Sequence, residues 1–287
     1  MDHRAQRTTA RTGRAAAAST RYLVAGMVAV LFAVPLVSVV ASSLKTRAEA
    51  SAVPPTYWPT TISWENFTGL QIGGTGVWHY VANSAAVSLG TVALTLLVAV
   101  PAAYGFARLP FAGSRLLFGV MLGAIMVPFQ ILLTPLYVVV RTLGVADSLL
   151  GLVLVYTTFQ LPFSMLLLSA SFRGVPDEVF EAFQLDGAGD ARTLLSTVPL
   201  IRPAVATTAL FAFFAAWNEF IAALILLGSQ SRFTLPILLT TLTSGQMGSI
   251  DWGVLQAGVV LTIVPCAVVF LALQRHYASG LMAGAGK

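Results

Sequence analysis

The chain has 287 residues, 57% of them hydrophobic and only 9% charged, with a formal net charge of +5 and a mean hydropathy of +0.83. So much apolar surface cannot be hidden in a water-soluble domain of this size, which excludes a soluble enzyme or binding module and points to a bilayer. The basic residues stand at the ends of apolar runs, the footprint of membrane orientation rather than of nucleic-acid binding.

Residues 1–21 are polar, with Arg4, Arg7, Arg11, Arg14 and Arg21 spread through Ala and Thr. They lack the apolar periodicity of a packed helix and read as a basic cytoplasmic tail. Apolar runs follow at residues 22–44, 81–107, 116–140, 148–172, 204–228 and 253–273. Each suits a spanning helix of about 20 residues, and none alternates like a barrel strand. The first run exceeds the roughly 7–15-residue apolar core of a cleavable signal peptide, so it is expected to remain as an anchor. The prediction is an all-α membrane protein: a tail at 1–21, a six-helix transmembrane domain at 22–276, and a cytoplasmic C-terminal tail at 277–287. Six spans place both termini in the cytoplasm. Lys and Arg then fall about three to one on the inner side, with only Lys45, Arg47, Arg141 and Arg232 outside.

The outer segment 45–80 mixes Pro54, Pro55 and Pro59 with Trp58, Trp64 and Trp78, rigid turns beside interfacial aromatics. The outer segment 229–252, with Gly245, Gln246, Met247 and Gly248, reads as a turn between interfacial pieces. Pro35, Pro101, Pro128, Pro135, Pro162 and Pro265 lie within spans, where each removes a helix hydrogen bond; this fits either kinks in a moving pathway or ordinary membrane-helix usage.

Charge concentrates in one place. Between the fourth and fifth runs stand Asp177, Glu178, Glu181, Asp186, Asp190 and Arg192. Pro176 followed by two acids predicts a helix start, and Gly187 predicts its end. Val179, Ala182 and Phe183 follow i, i+3, i+4 spacing and are expected to share an apolar face, with Glu178 and Glu181 on another. Asp190 is expected to cap a second short helix through Leu195. A knob awaiting a partner and a loop lying on the membrane fit this spacing equally well.

No GxxxxGK[ST] phosphate loop is present; the lysines are Lys45 and Lys287. His3, His79 and His276 are far apart, and Cys266 is the single cysteine, so neither a metal cluster nor an intrachain disulfide is expected. No paired catalytic groups suggest an intramembrane enzyme. Polar residues within spans are candidates for a transport path: Gln130, Thr134, Thr157, Thr158, Gln160, Asn218, Glu219 and Gln256. Neutral amides and hydroxyls suit a polyhydroxylated solute better than an ion. Glu219, an acid within a span, marks either the path or a structural pair.

Glu181-Ala182, Asp186-Gly187-Ala188 and Val198-Pro199-Leu200 resemble the EAA loop of ABC importer permeases. Asn83-Ser84, Pro101-Ala102-Ala103-Tyr104, Trp217-Asn218-Glu219-Phe220 and the stretch from Tyr277 to Ala285 look like the sugar-importer, maltose-permease type of subunit. The resemblance covers the chain from about residue 20 onward. Two departures stand out: Phe183 replaces the usual second alanine, and the step from Gly187 to Pro199 is one residue short.

The resemblance implies that 173–203 is a cytoplasmic coupling loop between helices 4 and 5, with Glu181, Ala182, Phe183, Asp186, Gly187 and Ala188 docking on an ATPase. It implies a carbohydrate importer of the bacterial cytoplasmic membrane. Expected partners are a second permease subunit in a heterodimer, two copies of an ABC ATPase, an extracytoplasmic solute-binding protein and membrane lipid, but not nucleic acid. No cofactor is expected on this chain; ATP and Mg belong to the partner ATPase. The alternative is a stand-alone ion-coupled secondary transporter, which predicts several buried acids near midplane.

Overall fold

A computed structural model describes residues 3–109, 111–243 and 250–284, with side chains described between residues 20 and 274. The expected turn at Gly245, Gln246, Met247 and Gly248, and the side chains of the tail from Tyr277 onward, lie outside the described residues. Two compact units are present, Met1–Leu70 with Gly245–Leu261, and Gln71–Ser244 with Thr262–Lys287.

The first unit opens with α1, His3–Ser43. Lack of apolar periodicity argues against packing but not against helix: alanines, the strongest helix formers, fill residues 15–18, and the backbone is helical from His3. Not one residue of the most apolar window in Thr20–Ser43 is buried. Beyond α1 come α2 (Arg47–Ala50) and α3 (Glu65–Thr68). Buried Asn66 ties α3 to the end of α1, donating to the carbonyls of Ser43 at 3.0 Å and Lys45 at 2.6 Å. Gly253 sits so close to Asn66 that a Cβ there would come within 2.5 Å of its Oδ1.

In the second unit a two-residue hairpin, β1 (Gln71–Ile72) and β2 (Thr75–Gly76), leads into α4 (Val77–Arg108). The third apolar run is not one straight span. It divides into α5 (Ser114–Gly123), a 3-10 turn at Ala124–Met126, and α6 (Phe129–Thr142), bent by 108°. Pro128 stands at the break, where its missing N–H and ring prevent helical continuation. Then come α7 (Leu149–Arg173), α8 (Asp177–Leu185), α9 (Asp190–Thr197) and α10 (Arg202–Trp217). The fifth run also breaks: Asn218, Glu219 and Phe220 separate α10 from α11 (Ile221–Leu226). In the segment read as a turn between interfacial pieces, one piece is a helix, α12 (Leu235–Thr243), with Leu235, Ile237 and Leu238 buried. The last helix is α13, Trp252–Gly284. Among the described residues five helices are long and apolar enough to cross a membrane, or six if the bent pair is one span.

The second unit is built around α4, α7 and α10. Along α4 the buried residues Ser84, Ser88, Thr91, Thr95, Ala99 and Ala103 recur every three or four positions. They form a stripe of small side chains that lets helix backbones approach. Gly90 serves the same end, since a Cβ there would come within 3.0 Å of Val153 on α7. One apolar cluster gathers Val87, Leu152, Val155 and Ala223. The other runs from Ala99, Ala103 and Leu168 to Phe172, Phe180 and Ile201, reaching the charged loop.

Candidate coupling loop and transport path

The loop forms the predicted pair of helices. Asp177 and Glu178 occupy the first turn of α8, behind Pro176 at its N-cap. Gly187 ends it at φ 66°, a left-handed conformation that favours glycine. The Ala188 N–H bonds the Phe183 carbonyl at 2.9 Å and the Gly187 N–H bonds that of Gln184 at 3.0 Å, completing a Schellman motif. The start of α9 differs from expectation. Asp190 is inside the helix, Gly189 is the N-cap with no side-chain cap bond, and the helix runs on to Thr197.

The inner face of α8 also differs. Its buried residue is Phe180; Val179 and Phe183 are half-buried, and Ala182 is exposed. The reason is a socket that sequence spacing did not disclose. Tyr104, one turn before the end of α4, packs its ring 5.6 Å from Phe172 and 6.3 Å from Phe180. The Arg108 guanidinium covers the Phe180 ring at 4.0 Å. From there it donates to the Phe172 carbonyl at 3.1 and 2.6 Å, to the Val175 carbonyl, and to the Asp177 carboxylate. Arg108 thus binds one carbonyl in the last turn of α7 and one just beyond it, and grips the first turn of α8. Sequence reading counted it only as an inner-side charge; no spacing rule links groups 69 positions apart.

With Phe180 turned inward, Glu181, Ala182, Asp186 and Gly187 are exposed, and Ala188 is half-buried at the helix end. Leu185 is 89% exposed and Leu195 on α9 is 72% exposed, both among acids. The loop therefore presents an acidic surface with apolar side chains standing out of it, while its other side is fixed to α4 and α7.

The path candidates scatter. Gln130 and Thr134 are exposed on α6. Thr157 is buried with its hydroxyl unpartnered among the described residues, as is the Gln160 amide nitrogen. Thr158, one position along, faces the other way, bonding the Leu154 carbonyl at 2.8 Å. It borders a cavity of about 530 Å³ lined mainly by Pro128, Phe129, Leu132, Leu136, Phe159 and Pro162. Asn218 is exposed and donates back to the Phe214 carbonyl at 2.9 Å. Gln256 is half-buried in the other unit.

Glu219 is engaged. Tyr156 on α7 donates to its Oε2 at 2.6 Å, and the N–H groups of Ala222 and Ala223, at the start of α11, donate to the same carboxylate at 2.9–3.2 Å. It caps the broken helix and pins the break to α7. Sequence reading missed a seam of buried hydroxyls, Ser88, Thr91 and Thr95 on α4, Ser164 on α7 and Thr208 on α10, all unpartnered among the described residues.

At the opposite end of α7, Asp147 (φ 49°) binds the loop after α11. Its carboxylate accepts from the Gly228 and Ser229 N–H groups at 3.0 Å each and from the Ser229 hydroxyl at 2.5 Å, and pairs with Arg232 at 3.2 Å. The Ser229 hydrogen bonds, aided by Gly228 and Arg232, hold its pKa below the ordinary carboxylate range. Asn83 and Ser84 bind the same loop: Asn83 donates to the Ser231 and Phe233 carbonyls at 3.1 and 2.9 Å, and Ser84 accepts the Leu235 N–H at 2.8 Å.

Comparison with known proteins gives a consistent result. Residues 92–282 match the family described as the inner membrane component of binding-protein-dependent transport systems. A protein named as an ABC transporter permease in Streptomyces antibioticus is 43% identical over 73% of this chain and 91% of its own length. The diacetylchitobiose uptake permease NgcG of Streptomyces coelicolor is 33% identical, covering 89% of this chain and 84% of itself. The trehalose transport permease SugB of Mycobacterium tuberculosis is 34% identical, covering 80% and 84%. The fold is that of a crystallised bacterial ABC transporter involved in importing the acidic polysaccharide alginate, with a TM-score of 0.77 and 20% identity over 90% of this chain and 95% of that one.

Proposed function

The chain belongs to the family of inner membrane components of binding-protein-dependent transport systems, and from that premise we propose that it forms half the translocation path of an ATP-driven carbohydrate importer. The 173–203 loop is the part that receives work from a separate ATP-binding subunit. One observation carries this reading: α8 is fixed to α4 and α7 on one side and presents Glu181, Ala182, Leu185, Asp186 and Gly187 on the other. A lever needs both a grip and a free end.

Closure of the ATPase must bind one loop position better than another, because a partner indifferent to conformation shifts nothing. ATP and Mg then belong to that partner, and the loop end of the bundle faces the cytoplasm with both termini. A second permease subunit completes the path, two ATPase copies drive it, and an extracytoplasmic receptor delivers the solute. Carbohydrate as cargo follows the relatives named for trehalose and diacetylchitobiose, and suits the neutral polar groups Gln130, Thr157, Thr158, Gln160 and Asn218. Glu219, occupied by Tyr156 and the start of α11, argues against the ion-coupled alternative.

The test is purification of the tagged chain expressed with its native operon, with identification of co-purifying polypeptides and an ATPase assay. Recovery of a second permease and an ATP-binding subunit is expected, with the ATP-binding subunit alone lost on Glu181→Lys. A chain that purifies alone and moves solute into liposomes without ATP would be a secondary transporter, with the loop a mere surface feature.

A further inference from the structure

We infer that the junction of α4, α5 and α7 is a binding site for the phosphate of an anionic phospholipid. A cavity of about 410 Å³ opens there, lined by Phe106, Ser114, Arg115, Phe118, Gly119 and Arg173. Two arginines and a serine thus border one space, and no Asp or Glu is among its lining residues. Among the described residues ion pairs are made by Arg47, Arg108 and Arg232, and no carboxylate there pairs with Arg115 or Arg173. Arg173 lies 5.4 Å from the Phe118 ring centre and makes one long bond, 3.4 Å, to the Phe106 carbonyl. That leaves most of its five N–H donors available.

Two like charges sharing a cavity repel, and Arg115 stands in a first helical turn that holds no acid, where the helix dipole also disfavours a cation. An anion between them relieves both. Guanidinium groups recognise phosphate oxygens in pairs, which selects phosphate over a monodentate anion.

The level and the surroundings select a lipid as the source. Here the apolar helices α4 and α7 end, at Arg108 and Arg173, the depth at which headgroups lie. Along α5 from the same cavity, Leu116, Leu117 and Val120 are exposed at 72%, 55% and 65%. A phosphodiester held by the arginines would lay its acyl chains along that face, joining α5 to α7. A free phosphate would use only the first half of the site. The inference does not depend on the coupling role of the loop.

The test uses the full chain in neutral detergent, with native mass spectrometry to count retained lipid after titration with phosphatidylglycerol or phosphatidylcholine. Wild-type protein is expected to retain phosphatidylglycerol preferentially. Arg115→Gln with Arg173→Gln should weaken that retention about 30-fold, the effect of two cations near a membrane surface. Arg115→Gln alone, at an exposed side chain, should weaken it about fivefold, and Arg141→Gln, which removes an equal charge elsewhere, should leave it unchanged. Retention equal in wild type and double variant, or lost equally in Arg141→Gln, would overturn the site. Displacement of the lipid by inorganic phosphate or glycerol phosphate would overturn the lipid and assign a soluble phosphate.

Discussion

The Arg108 guanidinium lies 4.0 Å from the centre of the Phe180 ring, so the end of one long helix holds the inner face of the short helix that the acids decorate. Magnitudes decide which of its contacts matters. Hydrogen bonds from a charged donor to part-buried carbonyls stabilise by about 1.5–3 kcal/mol each, and a cation over a ring by about 0.5–2 kcal/mol. The ion pair with Asp177 contributes about 0–1 kcal/mol, since that side chain is 81% exposed. The carbonyls of Phe172 and Val175 dominate. Arg108→Gln should therefore lower solute moved per ATP at least about tenfold, the effect of some 1.4 kcal/mol, while co-purification of the ATPase persists. Asp177→Asn should change transport little. An equal loss in both variants would make the ion pair the essential contact.

Gly187 makes a separate prediction. A Cβ there would meet nothing within 4 Å, so crowding does not matter, but φ of 66° does. The left-handed conformation costs a non-glycine residue about 1–2 kcal/mol, enough to unwind the Schellman turn. Gly187→Ala should reduce coupled transport about tenfold with the thermal midpoint of the chain nearly unchanged. Gly187→Asn should recover part of the loss, because Asn tolerates this conformation. Equal activity of the Ala variant would show that the turn geometry is dispensable.

Much of this was legible in the sequence where physics is local. The span at 81–107 lies within α4 and that at 148–172 matches α7 to within one residue at each end, because length and apolarity alone determine a spanning helix. Pro176 and Gly187 bracket α8 as their backbone preferences require. Runs of unbroken apolarity hid two breaks. Hydropathy does not register the 108° bend at Pro128 or the interruption at Asn218. The face of α8 was misread for a related reason: Val179, Ala182 and Phe183 share a face by spacing, but Tyr104 and Arg108, far off in sequence, chose Phe180.

Glu219 can now be assigned a measurable role. A hydrogen bond to a charged acceptor contributes about 1.5–3 kcal/mol, so Tyr156→Phe should destabilise the chain by roughly that amount and leave the Michaelis constant for solute unchanged. Glu219→Gln keeps an acceptor for the start of α11 and should cost less in stability than Glu219→Ala. If Glu219→Gln instead altered solute affinity with no change in thermal midpoint, the carboxylate would line the path.

Asp147 gives the pH dependence its sign. Its pKa in the folded chain is held below the ordinary value by the Ser229 hydrogen bonds first, with Gly228 and Arg232 assisting. A depressed carboxylate contributes stability that is fully present above the unfolded pKa, about 3.9, and is lost as pH falls through the folded value. Between pH 6 and 8 the contribution is therefore flat, and below about pH 4 it declines. Asp147→Asn removes the titration but keeps the shape. Thermal midpoints measured from pH 7 to 3 should converge for wild type and variant at the acid end and differ by a constant amount near neutrality. A gap that widens with acid would require another group to hold the loop after α11.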